Sequence, residues 1–197
     1  MLRSIRPALT LFVGLTILTG VAYPLLVTAV AQLAFPWRAN GSVLAVHGRP
    51  IGASLIGQAF SAPGDFWGRP SATAPQPDNG LASGGSNLGP TNPALVAAVR
   101  ARVDALRAAD PGNTAPIPVD LVTSSASGLD PDISLAAAEY QRDRVARARG
   151  MSPQAVQRLI DAHAVHPFLG LFGASRVNVL ELNLALDGVR PRRVPAP

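Results

Sequence analysis

A long stretch without charged residues near the N-terminus constrains this chain most. No Asp, Glu, Lys or Arg occurs between Arg6 and Arg38, and the residues from Leu9 to Ala34 are predominantly apolar. Because an α-helix rises about 1.5 Å per residue, about 20 apolar residues cross a hydrocarbon core of about 30 Å. The sequence Phe35-Pro36-Trp37 follows, and its aromatic rings suit the membrane–water interface. The stretch therefore predicts a transmembrane helix over about residues 9–34.

A cleaved signal peptide is the alternative interpretation of the same stretch. Arg3 and Arg6 would form its basic region, and Ala29-Val30-Ala31 has the small-x-small form of a cleavage site. The apolar run, however, exceeds the about 7–15 residues typical of a signal peptide. It also continues without a break into the aromatic residues and the basic Arg38. These features favour an anchor that is retained.

The short N-terminal segment sets the expected orientation of this helix. Arg3 and Arg6 precede the helix, and Arg38 and Arg49 follow it, so the two sides carry nearly equal charge. Long domains translocate largely regardless of their charge, so the short basic N-terminus should decide. We therefore expect a single-pass protein of the inner (plasma) membrane, with its N-terminus in the cytoplasm and the bulk of the chain outside.

Composition narrows the class of protein further. About 160 of the 197 residues follow the apolar stretch, which suits one compact domain. The chain has no Cys, which excludes disulfides, thiolate nucleophiles and zinc–thiolate sites. All 17 basic residues are Arg, so lysine chemistry is excluded as well. The net charge is +5, but only 5% of residues are aromatic and 12 acidic residues are present, which argues against nucleic-acid binding.

The pattern of apolar residues predicts an α+β fold. A single N-terminal transmembrane helix is followed by one mixed α/β extracytoplasmic domain with about three helices and a few short strands. We assign residues 1–38 to the membrane anchor, residues 39–188 to this domain and residues 189–197 to a disordered, Pro- and Arg-rich tail. A hairpin is expected around the turn His47-Gly48-Arg49-Pro50, and a short strand within residues 116–122.

Capping residues mark the expected helices. Asn92-Pro93 opens the first, which ends near Asp110, and Ser152-Pro153 opens the third. The second is expected from about Asp132 to Arg149, with Asp130 as its N-cap and Gly150 as its stop. One apolar stripe on the first helix is formed by Leu95, Val99, Val103 and Leu106. Residues 177–186 begin with strand-like alternation and are expected to finish as a helical turn.

Few residues in the polar loops have the spacing of a chemical site. Ser83-Gly84-Gly85-Ser86-Asn87 could hold an anion on backbone N–H groups, but it lacks the Gly-Lys-Ser/Thr end of a P-loop. An ordered extended loop is the favoured interpretation. His163 and His166 have no third ligand nearby, and helix capping explains Asp130 and Asp132 without a cation. No metal is expected on this chain.

The succession of sequence blocks resembles one family, the C subunit (KdpC) of the Kdp-type potassium-transporting P-type ATPase. The resemblance covers almost the whole chain in order. The matching blocks are Phe35-Pro36-Trp37 with Asn40-Gly41-Ser42, SLIGQ at 54–58, FWGRPSA at 66–72, SGGSN at 83–87, PVDLVTSSASGLDPDIS at 118–134, Gln141 with RVA at 144–146, ARG at 148–150 and VNVLELNLAL at 177–186. Asp65 departs from the pattern, since a Tyr is usual there.

This resemblance implies a non-catalytic accessory subunit of an ATP-driven, high-affinity potassium uptake pump. The implied partners are a potassium-channel-like subunit, an ATP-hydrolysing P-type subunit and a small single-span subunit. The family is described as a catalytic chaperone that raises the ATP affinity of the pump subunit. The implied cofactor is ATP, with Gln141, Ser83, Gly84 and Gly85 as the residues associated with nucleotide. Because the domain is expected outside the membrane, we interpret it as an external cap on the channel-like subunit, with an indirect effect on ATP use.

Two other functions fit the sequence less well. One is a membrane-anchored serine hydrolase that uses Ser83 or Ser86 with His163 and an Asp. No Gly-x-Ser-x-Gly nucleophile elbow lies between a strand and a helix, which argues against it. The other is an anchored extracytoplasmic ligand-binding module whose polar loops form a small site.

Overall fold

The computed structural model describes residues 2–167, 169–170 and 173–194. Its contacts divide the chain into two compact units, Met1–Val43 with Arg193–Pro197, and Leu44–Arg192. The architecture is α+β, with one N-terminal apolar helix and a mixed helix and strand domain, so the predicted fold class is confirmed.

The N-terminal helix runs through the whole predicted span. Helix α1 (Leu2–Ile17) passes through a π-helical turn (Leu18–Ala22) into α2 (Tyr23–Ala34). Pro24 lies in the first turn of α2 and has no N–H, and the wider turn before it lets the helix continue past the missing donor. Among the described residues, Ser4–Ala34 is the one helical stretch long and apolar enough to cross a membrane.

Polar contacts fix the chain where this helix ends. The short helix α3 (Pro36–Ala39) is followed by Asn40, whose amide donates to the Gln32 side chain at 2.8 Å. The indole N–H of Trp37 donates to the backbone oxygen of Val43 at 3.1 Å. The same oxygen accepts a hydrogen bond from the backbone N–H of Val194 at 3.0 Å. The predicted disordered tail, residues 189–197, thus contains Val194, which forms a backbone hydrogen bond to Val43. Residues 195–197 lie outside the described residues.

The second unit begins with the predicted hairpin. Strands β1 (Val43–Val46) and β2 (Arg49–Ala53) flank His47 and Gly48. These two residues have φ angles of +50° and +78°, as a tight hairpin turn requires. Residues 54–92 contain no helix or strand. Side chains of other elements accept hydrogen bonds from part of their backbone, as at Phe66 and Trp67.

Helix α4 (Pro93–Ala109) starts as predicted, because the Asn92 side chain accepts from the Ala94 N–H at 2.9 Å. The prediction of a short strand within residues 116–122 is wrong, since Val119–Leu121 form a 3₁₀ turn. Pro116 and Pro118 remove two donors from this segment, which disfavours strand pairing. The turn instead presents Asp120, whose carboxylate accepts from the Ser134 N–H at 2.7 Å.

The second predicted helix begins later than expected. Residues Asp132–Ser134 form strand β3, and α5 (Leu135–Arg149) starts after them with Ser134, not Asp130, as its N-cap. The reason is tertiary pairing, because Ile133 lies opposite Val177 of β5 in an antiparallel ladder. Gly150 ends α5 with a φ angle of +63°, as the sequence predicts.

The remaining elements complete the domain. They are α6 (Pro153–His163), β4 (Ala164–Val165), β5 (Arg176–Asn178), α7 (Val179–Leu186) and β6 (Arg192–Arg193). Strands β3, β5 and β4 form an antiparallel sheet in this order. Residues 177–186 are therefore a strand end followed by a two-turn helix. The core between sheet and helices includes Phe66, Leu121, Ile133, Val145, Val156, Ile160, Val177 and Leu182.

Candidate functional site

Two amide side chains hold the loop segment Phe66-Trp67 in the core. The Phe66 N–H donates to the Asn183 side chain at 2.8 Å, and the Asn183 amide donates to the Phe66 oxygen at 3.0 Å. The Trp67 N–H donates to Gln141 at 2.8 Å, and the Gln141 amide donates to the Trp67 oxygen at 3.1 Å. Helices α5 and α7 thus supply the hydrogen bonds that a neighbouring strand would otherwise give.

Gln141 has a complete set of hydrogen bonds. Only 1% of the residue is exposed. Its oxygen also accepts from the Arg144 guanidinium at 2.7 Å, and its nitrogen also donates to the Ala137 oxygen at 3.2 Å. A glutamine side chain has two donor hydrogens and two acceptor lone pairs, so its whole capacity is used within the domain.

Arg144 extends this network along α5. It is 4% exposed and donates to the backbone oxygens of Pro63 at 2.5 Å and Asp65 at 2.9 Å. Its guanidinium lies 4.8 Å from the centre of the Trp67 ring. Burial lowers the pKa of Arg144 to about 10, so the side chain stays charged at neutral pH. A buried cation is tolerated here because carbonyl oxygens and an aromatic ring surround it.

Arg102 of α4 approaches the same ring. Its guanidinium lies 5.2 Å from the centre of the Trp67 ring and donates to the oxygens of Gly68 at 2.8 Å and Leu121 at 2.9 Å. Burial lowers the pKa of Arg102. We call the set Phe66, Trp67, Arg102, Gln141, Arg144 and Asn183 the Trp67 cluster. It joins α4, α5 and α7 to a loop that has no secondary structure of its own.

The loop Ser83–Gly85 lies against residues 126–128. The Ser83 hydroxyl and the Gly84 N–H both donate to the Ser127 oxygen, at 3.1 Å and 2.8 Å. A Cβ atom on Gly85 would lie 2.9 Å from the Ala126 oxygen. The Gly84 N–H, which the sequence offers as an anion donor, therefore points to a carbonyl of the same domain.

The structure does not bring the four residues associated with nucleotide into one contact network. Ser83, Gly84 and Gly85 lie together on the segment around Ser127, while Gln141 bonds to Trp67. Within the described ranges, the loop and Gln141 share no hydrogen-bond partner. Ser83 is exposed, whereas Gln141 is buried.

The other candidate residues have separate roles. Asp130 pairs with Arg69 at 3.0 Å and accepts from the Asp132 N–H, and Asp132 pairs with Arg176 at 2.8 Å. His163 contacts the Leu159 oxygen through Nδ1 at 2.9 Å. In the part of the chain that is described, no hydrogen bond joins Ser83 or Ser86 to His163. The contacts therefore give the hydrolase interpretation no triad geometry.

Helix α4 leaves much of its apolar stripe uncovered. Leu106 at its C-terminal end is 2% exposed and reaches the core. Leu95, Val99 and Val103 are only partly buried, and Val96 beside them is 48% exposed. These residues line an open apolar groove. Exposed apolar surface of this kind is typical of an interface with another protein.

Asn183 and Arg102 are the members of the Trp67 cluster that the sequence does not single out. Asn183 lies 117 residues from Phe66 in sequence, and Arg102 lies 34 residues from Gly68. Spacing rules for helices and strands do not extend that far. The one local signal is a polar residue within the apolar run of residues 177–186.

Comparison with known proteins identifies the family. Residues 5–188 match the family model described as "KdpC: K+-transporting ATPase, c chain". The chain is 62% identical over 195 residues to a protein of Polaromonas naphthalenivorans, covering 99% of this chain and 100% of the relative. It is 66% identical over 187 residues to one of Methylibium petroleiphilum, covering 95% and 98%. Both relatives are named potassium-transporting ATPase KdpC subunit. The chain therefore belongs to the KdpC family of K+-transporting ATPase subunits.

Proposed function

We propose that this chain is the non-catalytic accessory subunit of a high-affinity potassium uptake pump, in which a P-type partner subunit hydrolyses ATP. The other proposed partners are a potassium-channel-like subunit and a small single-span subunit. The observation that carries the proposal is the family match, which extends from the apolar helix through α7. The relatives are covered over nearly their full length, so the match includes both the anchor and the domain.

The proposed orientation places the N-terminus in the cytoplasm and Leu44–Arg192 outside the inner membrane. The long domain translocates regardless of its charge, whereas the short segment with Arg3 and Arg6 stays inside. ATP is cytoplasmic, so a domain in this position acts on ATP use only through the partner subunits.

The contacts of the nucleotide-associated residues support an indirect effect. Gln141 uses its full hydrogen-bonding capacity inside the domain, and the Gly84 N–H donates to Ser127. We infer that Gln141 and the loop Ser83–Gly85 hold the domain in the shape that its partners recognise. Raised ATP affinity of the pump subunit, the catalytic-chaperone effect, then follows from a stabilised complex.

We further propose that the exposed face of α4, formed by Leu95, Val96, Val99 and Val103, contacts the channel-like subunit. The domain would then form an external cap. The support is the uncovered apolar surface itself, which a domain outside a complex leaves in contact with water.

Cysteine labelling tests the orientation, because the chain has no Cys of its own. Ser86 is exposed in the domain, and Ser4 is exposed near the N-terminus. In intact spheroplasts, a membrane-impermeant maleimide should label Ser86→Cys at once and Ser4→Cys only after lysis. The reverse pattern would place the domain in the cytoplasm and refute the external cap.

One kinetic measurement and one binding measurement test the indirect effect on ATP. The complete complex should hydrolyse ATP with a lower KM than the complex assembled without this chain. The full-length chain alone, in detergent, should not be labelled saturably by an azido-ATP photoprobe. Saturable labelling of the folded chain would show direct binding and would refute the indirect route, whereas an unchanged KM would refute the chaperone effect.

A further inference from the structure

Charge is segregated along this chain. All 12 acidic residues lie between Asp65 and Asp187, together with ten of the arginines. The residues before and after this range contain seven arginines and no Asp or Glu. The first unit, Met1–Val43 with Arg193–Pro197, is built only from these flanking residues. Its side chains therefore include cations but no carboxylate to neutralise them.

The fold returns the C-terminal segment to the end of the apolar helix. Val194 donates its N–H to the oxygen of Val43 at 3.0 Å. This contact places the Arg193 guanidinium 4.4 Å from the centre of the Trp37 ring. Trp37 follows Ala34, the last residue of the candidate span, by three positions. Arg193 is thus a juxtamembrane residue in space, although it lies more than 150 residues away in sequence.

Arg193 and Arg38 are exposed, and no salt bridge to either occurs within residues 2–167, 169–170 and 173–194. The Trp37 indole is fixed by its hydrogen bond to Val43. Tryptophan rings settle at the membrane–water interface, so we expect the Arg193 guanidinium on this ring at the depth of lipid headgroups, and Arg38 directly follows Trp37 in sequence. Phe35, two residues before Trp37 in sequence, is 56% exposed and adds apolar surface.

We propose that Arg38 and Arg193 bind phosphate groups of anionic phospholipids in the leaflet where α2 ends. A guanidinium has a planar set of donors that matches phosphate oxygens. A phospholipid is favoured over a soluble anion because the membrane itself presents headgroups at the level of Trp37. The attraction of basic juxtamembrane residues to anionic lipid is a general electrostatic effect.

Electron spin resonance of lipid next to the protein tests this proposal. The full-length chain is reconstituted in phosphatidylcholine bilayers that contain spin-labelled phosphatidylglycerol or spin-labelled phosphatidylcholine. The wild type should select phosphatidylglycerol, and Arg38→Gln with Arg193→Gln should lower this selectivity by about threefold or more. Arg38→Lys with Arg193→Lys keeps both charges and should keep most of it. The matched control is Arg100→Gln with Arg158→Gln, which removes two exposed arginines of the other unit and should leave selectivity unchanged.

Two results would overturn the proposal. One is equal affinity of the wild type for the two spin-labelled lipids. The other is selectivity that survives in the Arg38→Gln, Arg193→Gln variant and disappears in Arg3→Gln with Arg6→Gln, because the anionic lipid would then bind at the opposite end of the helix. Far-ultraviolet circular dichroism of every variant checks that the fold is intact.

Discussion

The side-chain amide of Gln141 forms two hydrogen bonds with the backbone of a single residue, Trp67, at 2.8 Å and 3.1 Å. Residues 54–92 have no helix or strand to satisfy their backbone groups. A buried polar backbone group without a partner costs free energy, so the amide that α5 supplies helps to hold the loop in the core. Gln141 is therefore a determinant of loop order in this domain.

Replacement of Gln141 by Leu should destabilise the domain strongly. The change introduces an apolar side chain of similar size and leaves the Trp67 N–H and oxygen buried without partners. Loss of these bonds should lower the free energy of unfolding by about 2–4 kcal/mol. Urea denaturation of the full chain in mild detergent, followed by tryptophan fluorescence, measures it. Gln154→Leu, at an exposed position of α6, is the control and should change stability by less than about 0.5 kcal/mol. An equal loss of unfolding free energy in the two variants would contradict the role of Gln141 in holding the Trp67 backbone.

Asp78 should make stability depend on pH. Burial raises the pKa of its carboxyl. The side chain lies close against Gly57, since a Cβ atom on Gly57 would be 2.6 Å from Asp78 Oδ1. The folded state then holds the proton more tightly than the unfolded state, so stability falls as pH rises from about 4 through the raised pKa. Asp78→Asn removes this effect, and Asn tolerates the φ angle of +55°.

At pH 7 we expect Asp78→Asn to stabilise the chain by less than about 1 kcal/mol, because solvent screens a half-exposed carboxylate. At about pH 3 the difference should vanish, since both states are then protonated. Asp104→Asn, at an exposed position of α4, is the control for the same chemical change on the surface of the domain. If Asp78→Asn instead destabilises the chain at pH 7, the charged carboxylate of Asp78 stabilises the folded state.

Gly128→Ala should loosen the loop Ser83–Gly85. Gly128 has a φ angle of +66°, and a Cβ there would lie 2.6 Å from the Gly84 oxygen. The substitution therefore requires both a strained backbone and a displaced loop, and should cost about 2 kcal/mol or more. Hydrogen exchange should show lost protection of the Gly84 N–H. Gly112→Ala meets nothing within 4 Å and should be close to neutral. Retained protection in Gly128→Ala would mean that the loop has another support.

Val96→Glu should weaken assembly with the partner subunits without unfolding the domain. Val96 is 48% exposed, so the chain alone accommodates a carboxylate there. In the complex, the charge would be buried against an apolar surface. Co-purification in mild detergent measures the loss, and Ala101→Glu on the opposite, exposed face of α4 is the matched control. Intact assembly of the Val96→Glu complex would exclude this face as the interface.

Local signals predicted the helix ends well. Asn92 and Ser152 each accept a hydrogen bond from the first turn of a helix, and Gly150 adopts the left-handed conformation. These caps depend on neighbours within four residues, so the sequence contains them. The hairpin around His47 and the apolar span depend equally on short stretches, and the structure contains both.

Long-range pairing was the part that local patterns missed. Asp130 and Pro131 look like a helix start, but Ile133 pairs with Val177 more than 40 residues away, and strand geometry there displaces the cap to Ser134. The bonds between Asn183 and Phe66 span an even longer separation. On α4 the spacing predicts which residues share an apolar face, but periodicity does not tell whether the surface that covers this face belongs to the same chain.

The contact between Val43 and Val194 sets an order of events during synthesis. Val43 is synthesised about 150 residues before Val194, so the oxygen of Val43 and the ring of Trp37 meet these partners late in synthesis. Residues 44–192 are complete before this contact forms. The unit that contains the apolar helix is therefore completed only after Leu44–Arg192, and a tag inserted directly after Val194 would lie close to Val43 and Trp37, near the end of that helix.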